Sequence, residues 1–464
     1  MPLGNPTYPY THKHIVVVHG IGDQAPNETA LNFMNHFLRA LPEGPGYSVE
    51  VDNLIESVDD IRGAAPAGAP ARSFRPAFLV FTSDHAKRNY VIGFSEVYWQ
   101  HITNAYLARN EGAPPIPIFI WAHSVNTRML GHTARFEEVR SVIDNLETML
   151  GLVSKLAVIF RKSETFLKIL NRFLGDVQMY TESEEIRAEI NARFCNVLAR
   201  ATDFAGRTVK ELPGAGFTST SPDVYVVAHS EGTVVAYSAL VEAACRGESW
   251  LENVRGLVTI GSPLDKHYTI WRNRFKLDKF SGPPREPKIL WHNYWDQSDP
   301  VGYGLRALFQ PPDSDARKLF DLCCDTGFTR YPIPGLAHVG YWSDTAIHED
   351  IINRVMQLAP TRPHTTVESK WWGKLQPIGD VSLHLLLRVL TLAAVLFFLY
   401  KLLAPLPSLD GQIKDALGHL TGLVVSILVW KLHTTVHRGL LQMWRYTKGI
   451  DTAATLAIRT EHPV

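Results

Sequence analysis

Four short apolar runs, each bounded by residues that favour turns, stand out along the chain. They cover 15–18 (IVVV), 77–81 (AFLVF), 224–228 (VYVVA) and 256–260 (GLVTI). Runs of this length and composition predict buried β-strands, and KILWHNYW at 288–295 is a fifth candidate. Because polar positions do not alternate with apolar ones in these runs, we expect a mostly parallel sheet with helices on both faces.

Helical patterns lie between the predicted strands. The segment 233–245 follows the third run, and this alternation of strand and helix predicts an α/β domain. The interval between the second and third runs differs, since 134–212 carries Glu, Arg, Lys and Leu at helical spacing. We therefore predict one α/β domain in two parts, 1–92 and 216–365, separated by a mostly helical insertion at 93–215.

The C-terminal region, 366–464, has a third pattern. VLTLAAVLFFLY at 389–400 carries no charge, and ALGHLTGLVVSILVW at 416–430 is a second apolar run. A membrane span needs about 20 mainly apolar residues. The first run reaches that length only if its charged flanks, Arg388 and Lys401, extend toward the bilayer surface. The pattern predicts an apolar helical hairpin over 383–432, inserted as a transmembrane helix pair or as a monotopic anchor.

The charges around this hairpin predict its orientation. Lys401 and Lys414 lie between the two apolar runs, and more basic residues, from Lys431 to Lys448, follow the second run. Excess positive charge outside the hairpin favours the cytoplasm for both of its ends and for the α/β domain. The alternative is a cytoplasmic protein whose two helices pack on the soluble domain or on a second subunit.

Composition narrows the function classes. The 464 residues include 46 Lys plus Arg and 46 Asp plus Glu, so the chain lacks the basic excess typical of nucleic-acid binders. With 45% apolar and 20% charged residues, it is globular rather than disordered. Its four cysteines form no C-x-x-C pair, so we expect neither a disulfide framework nor a structural zinc site, and a reducing compartment is favoured. The polar, Pro-rich segment 1–14 is unlike a secretory signal.

The segment that carries chemistry is VYVVAHSEGTVVAYSAL at 224–240. A predicted strand runs into Ser230 and a predicted helix begins directly after it, which is the strand–turn–helix setting of a serine nucleophile. Small residues are needed two positions to either side of the serine, because the strand and helix backbones approach each other there. Gly232 fits this need, whereas Ala228 stands where glycine is usual. The N-terminus of the helix favours negative charge that develops near Ser230.

With this segment the chain resembles the α/β-hydrolase superfamily, and specifically its lipase and esterase branch. The resemblance extends over 14–30, 77–82, 224–265 and 288–345 and does not include the insertion or the C-terminal region. It implies the α/β-hydrolase fold, to which a helical insertion and a C-terminal apolar hairpin are added. In this family, insertions between strands often form a cap over the active site, and 93–215 is the segment expected to do so.

The resemblance also implies an oxyanion hole. In many lipases a His-Gly pair after an early strand begins the oxyanion loop, and VVVHGIGDQ contains such a pair. The backbone N–H groups of Ile21 and Glu231 are then expected to bind the oxyanion. Gly20 and Gly22 let the loop turn its amides inward, as Gly232 does for the turn at the nucleophile.

A triad acid and base follow from the same resemblance. Asp299, in the loop after the fifth predicted strand, resembles the family's acid, and Asp296 is the alternative. His338, in the sequence GLAHVGYWSD, is the expected base and is predicted to lie in a tight loop after the last strand. The order Ser230, Asp299, His338 is the order found in this family.

The chain has 19 histidines, and four others lie in or near the motifs described above. His348 is a weaker candidate for the base, because it falls on a following helix. His292 lies within a predicted strand and is expected to be structural. His19 and His229 belong to the two glycine-containing motifs and are expected to brace loops rather than to transfer protons.

Together these residues predict a serine hydrolase that cleaves carboxylic esters through an acyl-enzyme intermediate. The apolar hairpin and the apolar insertion favour lipid or acyl esters at a membrane surface. No metal or cofactor is implied, because no P-loop and no G-x-G-x-x-G after a strand is present. The alternatives are a soluble esterase or thioesterase with a helical dimerisation tail, and a hydrolase-fold scaffold without activity.

Overall fold

In the computed structural model of the protein, part of the chain is described. It comprises residues 4–52, 77–125, 175–208, 221–271, 282–309, 314–330, 334–358 and 367, without residues 6, 23, 45, 113, 118, 119, 122, 123, 298 and 300. The chain forms two compact units, one of residues 1–328 and 338–368 and one of residues 329–337 and 369–464. The sheet and the candidate site both lie in the first unit.

Eight strands of the described residues form a single sheet. They are β1 (Tyr10–Val18), β2 (Tyr47–Asp52), β3 (Ala77–Ser83), β4 (Arg88–Val97), β5 (Asp223–His229), β6 (Val254–Ile260), β7 (Ile289–Asp296) and β8 (Phe320–Phe328). Their order across the sheet is β2-β3-β4-β1-β5-β6-β7-β8. The pairs from β4 to β8 are all parallel, whereas β2 and β4 both pair antiparallel with β3. The predicted mostly parallel sheet is therefore confirmed, and an antiparallel edge is added to it.

Helices connect these strands. They are α1 (Glu28–Ala40), α2 (Gln100–Arg109), α3 (Glu184–Thr208), α4 (Glu231–Arg246), α5 (Leu264–Ile270), α6 (Arg306–Phe309), α7 (Pro334–Gly340) and α8 (Thr345–Asp350). Residues 175–182 are also helical. Short 3₁₀ turns lie at Ser249–Asn253, Asp315–Lys318 and Tyr341–Ser343, and a π-helical turn follows α8 at Ile351–Val355.

Alternate residues of the central strands pack into opposite apolar layers. Val16 and Val18 of β1 belong to the layer that contains α3 and α4. Ile15 and Val17 belong to the layer that contains α1 and α8. All four side chains are fully buried, and each contributes about 1.5–3 kcal/mol relative to an exposed position. A strand with both faces buried has no place for alternating polar residues, which is why the central strands appear as continuous apolar runs.

Much of the expected insertion and the whole expected hairpin at 383–432 lie outside the described residues. Within the part of the insertion that is described, residues 93–97 complete β4, and the rest includes α2, the helical residues 175–182 and α3. No helix of the described residues is long and apolar enough to cross a bilayer.

Candidate active site

Ser230 stands at the turn between β5 and α4. The strand brings in a run of fully buried apolar residues, and the helix begins at Glu231. Ser230 has φ 54° and ψ −132°, an unusual conformation for a residue with a side chain. Such strain costs about 1–3 kcal/mol and persists only where the surroundings enforce it. Here the Ser230 N–H donates to the Ile260 carbonyl oxygen of β6 at 3.0 Å, which ties the turn to the sheet.

Two glycines allow the backbone to approach this turn. A Cβ on Gly232 would lie 2.3 Å from the His19 carbonyl oxygen and 2.7 Å from that of Val18. A Cβ on Gly20 would lie 2.7 Å from the Cβ of Ser230. The loop after β1 therefore runs directly beside the serine, as expected for a loop that contributes to the same site.

His338 reaches Ser230. Its Nε2 lies 2.9 Å from the Ser230 Oγ, and its side chain is 18% exposed. The sequence predicted a tight loop here, and this expectation was wrong because residues 334–340 form the short helix α7.

Asp299 completes the chain of contacts from the loop after β7. The Nδ1 of His338 lies 3.0 Å from Oδ1 and 2.9 Å from Oδ2 of Asp299. The carboxylate also accepts the Val301 N–H and the Tyr341 hydroxyl, each at 2.8 Å. Because a carboxylate can only accept, Nδ1 carries the proton, and Nε2 is left with a lone pair directed at the serine.

The electrostatics of Asp299 favour its charged form. Burial alone would raise its pKa, but His338, the Val301 N–H and the Tyr341 hydroxyl outweigh burial and lower the pKa below its ordinary value. The carboxylate is therefore ionised at neutral pH, which holds the imidazole tautomer and stabilises positive charge on the ring.

The alternative acid, Asp296, takes part through its backbone. It is fully buried at the end of β7. Its N–H donates to the Tyr341 hydroxyl at 2.8 Å, and its carbonyl oxygen accepts the Asp299 N–H at 2.9 Å. The carboxylate that His338 contacts is that of Asp299, while the Asp296 main chain supports the turn that presents it.

Two further histidines brace the site, as the sequence suggested. The Nε2 of His229 donates to the carbonyl oxygen of His338 at 2.8 Å. The Nδ1 of His19 donates to the Gly20 carbonyl at 2.7 Å, and its Nε2 accepts the Trp99 N–H at 3.2 Å. Burial lowers the pKa of His229 to about 3 and that of His19 to about 4, so both rings are neutral at physiological pH.

His348, the weaker candidate for the base, and His292 have other partners. His348, on α8, donates from Nε2 to the Trp342 carbonyl at 2.8 Å. His292, in β7, has its Nε2 3.2 Å from the Cys323 Sγ. Both have a pKa lowered to about 4 by burial, so they are neutral structural groups.

The expected oxyanion donors belong to the two segments that meet at the serine. Glu231 is the first residue of α4, where backbone N–H groups have no partner within the helix. Ile21 follows Gly20, and the next residue, Gly22, has φ 135°. The Gly22 N–H donates to the buried Asp176 carboxylate, whose pKa is raised by burial to about 6.

The side chain of Glu231 has a separate role in the core. Its Oε1 lies 3.1 Å from the Nε2 of His267 on α5, and both side chains are almost fully buried. The Nδ1 of His267 donates to the Pro263 carbonyl at 3.1 Å. Burial alone would lower the pKa of His267, but the Glu231 carboxylate and the Pro263 carbonyl raise it above its ordinary value. The pair fixes the first turn of α4 directly behind the serine.

Sequence reasoning missed Tyr341, Asp176 and His267. Tyr341 stands three residues after His338, a spacing that places two side chains on one face only if the segment is helical. Since a loop was predicted, that signal was not used. Asp176 and His267 belong to segments without a motif, and their positions depend on the folded chain.

Within the described residues, no group of three or more His, Cys, Asp and Glu side chains could hold a metal ion. The arrangement of Ser230, His338 and Asp299 can transfer a proton from the serine hydroxyl to an imidazole whose other ring nitrogen faces a carboxylate.

In the comparisons with known proteins, no family model, no curated protein and no solved structure matches this chain.

Proposed function

We propose that the protein is a serine ester hydrolase of the α/β-hydrolase type. The observation that carries this proposal is the continuous chain from Ser230 Oγ to His338 Nε2, at 2.9 Å, and from His338 Nδ1 to Asp299 Oδ2, at 2.9 Å. It is supported by the strained turn that presents the serine and by the positions of the three residues, after β5, β7 and β8.

The proposed acylation step begins when Nε2 of His338 takes the proton of Ser230. The Oγ electron pair forms a bond to the ester carbonyl carbon, and the carbonyl π electrons move to its oxygen. The N–H groups of Ile21 and Glu231 are the proposed donors to this oxyanion. Each such donor contributes about 3 kcal/mol of barrier reduction. Collapse of the intermediate breaks the ester C–O bond, and the leaving alkoxide receives the proton from Nε2.

Deacylation repeats these steps with water as the nucleophile. His338 accepts a proton from water, hydroxide adds to the acyl carbon, and Ser230 leaves with the proton returned by the imidazolium. Asp299 stays ionised throughout, because its contacts hold its pKa below the ordinary value. No redox partner or metal is needed for this sequence of bonds.

We also propose lipid or acyl esters as the substrate class, with the catalytic domain on the cytoplasmic side of a membrane. This part rests on the sequence of the C-terminal region, where two apolar runs at 389–400 and 416–430 are flanked by basic residues. The insertion between β4 and β5 is the proposed cap.

A fluorophosphonate probe tests the proposal directly. We expect the full-length chain to be labelled once, and Ser230→Ala to be unlabelled and inactive on acyl esters while unfolding at nearly the wild-type temperature. Ser95→Ala is the matched control, because Ser95 also pairs with a histidine, at 2.7 Å from His14 Nε2, but within the sheet. Unchanged labelling of Ser230→Ala would rule out the catalytic assignment.

The same labelling can be applied to cell fractions. Label that stays with membranes through a high-salt wash supports the membrane position, because electrostatic attachment is screened by salt. Label found wholly in the soluble fraction would contradict that position and leave the esterase assignment intact.

A further inference from the structure

Tyr341 lies beside Asp299, the proposed acid of the site. Its side chain is fully buried, and its ring packs edge-on against Phe328 and close to His338. Gly261 makes room for it, since a Cβ there would lie 2.8 Å from the Cε2 of Tyr341. A large ring in such close surroundings has one position, so its hydroxyl is a fixed group.

The hydroxyl bridges Asp299, the expected acid, and Asp296, the alternative acid. It accepts the Asp296 backbone N–H at 2.8 Å and lies 2.8 Å from Asp299 Oδ2. An amide can only donate, so the hydroxyl oxygen is the acceptor in the first contact. Its own proton is then available for the carboxylate of Asp299.

The protonation states of Tyr341 and Asp299 agree with a hydrogen bond donated by the hydroxyl to the carboxylate. Burial and the nearby Asp299 charge raise the pKa of Tyr341 well above its ordinary value, so the hydroxyl keeps its proton. The titratable groups around it are Asp296, Asp299, His338 and His229, whose ring lies 6.0 Å away. His229 is neutral, and although the charge of Asp296 also raises the pKa of Tyr341, the carboxylate that the hydroxyl bonds is that of Asp299.

We propose that Tyr341 is a positioning residue that orients the Asp299 carboxylate toward His338 and thereby makes Asp299 the acid of the triad. Two of the three donors to this carboxylate, the Val301 N–H and the Tyr341 hydroxyl, hold its plane, and the third is the imidazole itself. This inference rests on the proposed hydrolase function.

Tyr341→Phe removes one hydrogen bond and keeps the ring. Loss of a hydrogen bond to a charged group predicts a kcat/KM about 10–100-fold lower, carried by kcat with KM nearly unchanged. The hydroxyl donates to the Asp299 carboxylate and lowers the pKa of that group, so its removal raises the pKa of Asp299. The acidic limb of the pH–rate profile therefore moves to higher pH.

Tyr294→Phe is the matched control. Tyr294 is an equally buried tyrosine of the same apolar layer, and its hydroxyl bonds the carboxylate of Asp350, which is paired with Arg354. We expect this variant to lose stability but to keep the wild-type kcat and acidic limb.

The rate constant of fluorophosphonate labelling serves as a second measurement, because it does not depend on the fraction of folded chains. Labelling of Tyr341→Phe should be slower by the same factor and still reach one probe per competent chain. If the wild type labels and Tyr341→Phe matches it in rate and pH profile, the positioning role is wrong and the hydrolase stands. If the wild type does not label, the proposed function itself fails.

Discussion

Asp296 and Asp299 are chemically identical, and the structure separates them by which atoms they turn to the site. Asp299 presents its carboxylate to His338, whereas Asp296 presents its main-chain N–H to Tyr341. The roles of the two side chains should therefore differ sharply when each charge is removed.

Asp299→Asn replaces one carboxylate oxygen by an amide nitrogen, which cannot accept the Nδ1–H of His338. The wrong imidazole tautomer is then favoured, and we expect kcat to fall about 10³–10⁴-fold. Asp296→Asn keeps the backbone contacts and should lower kcat less than about 10-fold. Steady-state kinetics on one acyl ester, with folding checked by circular dichroism, distinguishes the two. A larger loss in Asp296→Asn would exchange their assignments.

At the scale of residues, the sequence predicts best what is encoded locally. The turn that presents Ser230 was predictable because strand, turn and helix are contiguous around it. The preference for Asp299 over Asp296 came from the family resemblance alone, because both lie in one turn and local sequence does not show which carboxylate meets His338 and Tyr341. The contact between Asp299 and Tyr341 joins segments about 40 residues apart, which periodicity does not reveal.

At the scale of elements, the site depends on how closely β1 and α4 approach. Gly232 lies in the first turn of α4, against the last carbonyl groups of the β1 segment. Both contacts are backbone atoms, which cannot rotate away as a side chain could. An added methyl group must therefore move the helix away from the sheet and carry Ser230 with it.

Gly232→Ala should lower the free energy of unfolding by about 3 kcal/mol, the upper range for overpacking, and slow fluorophosphonate labelling more than 10-fold. Gly247→Ala is the control at the other end of α4, with φ 71° and no atom within 4 Å of its added Cβ. It should cost about 1 kcal/mol through its left-handed backbone alone and label at the wild-type rate. Denaturant unfolding and labelling kinetics provide both measurements, and equal effects of the two substitutions would refute the close-approach argument.

The strands that were predicted are those whose residues form a continuous apolar run. The inner strands β1, β5 and β6 were predicted because both faces are buried and the chain there is continuously apolar. The edge strands β2 and β8 were not predicted, and neither was the inner strand β4, whose sequence RNYVIGFSEV mixes polar with apolar residues although nearly all of it is buried. In β8, Phe320 and Leu322 are buried while Asp321 and Cys323 are exposed, so no apolar run marks the strand. The start of β1 was also missed, because His12 and His14 are polar residues that the fold buries.

At the scale of the whole molecule, the fold buries an unusual set of neutral histidines. Burial lowers the pKa of each to about 3 or 4, and they are His12, His14, His19, His229, His292 and His348. Three buried carboxyl groups with a raised pKa, Glu96, Asp176 and Asp265, act in the opposite sense, as does His267. The pKa of Glu96 is raised to about 7 and that of Asp176 to about 6, in both cases by burial.

These shifts make the stability of the protein steeply dependent on pH. A histidine whose pKa is lowered by folding stabilises the fold fully above its unfolded value of about 6.5, and that contribution is lost as the pH falls below it. Glu96, Asp176 and Asp265 are protonated in the folded state at pH values at which the unfolded chain has released these protons. On unfolding between pH 6 and pH 5 they therefore release about three protons, against about six that the histidines take up.

We therefore expect the free energy of unfolding to fall by about 4 kcal/mol between pH 6 and pH 5, which is a large part of the total stability of an ordinary domain. Urea unfolding at a series of pH values measures this slope. His348→Gln is the control, because glutamine can still donate to the Trp342 carbonyl but cannot take up a proton. Its slope should be smaller by about 1.4 kcal/mol per pH unit. A wild-type stability that stays level from pH 6.5 to pH 5 would show that these rings are not buried in their neutral form, and the packing of β1 and β5 around them would then be wrong.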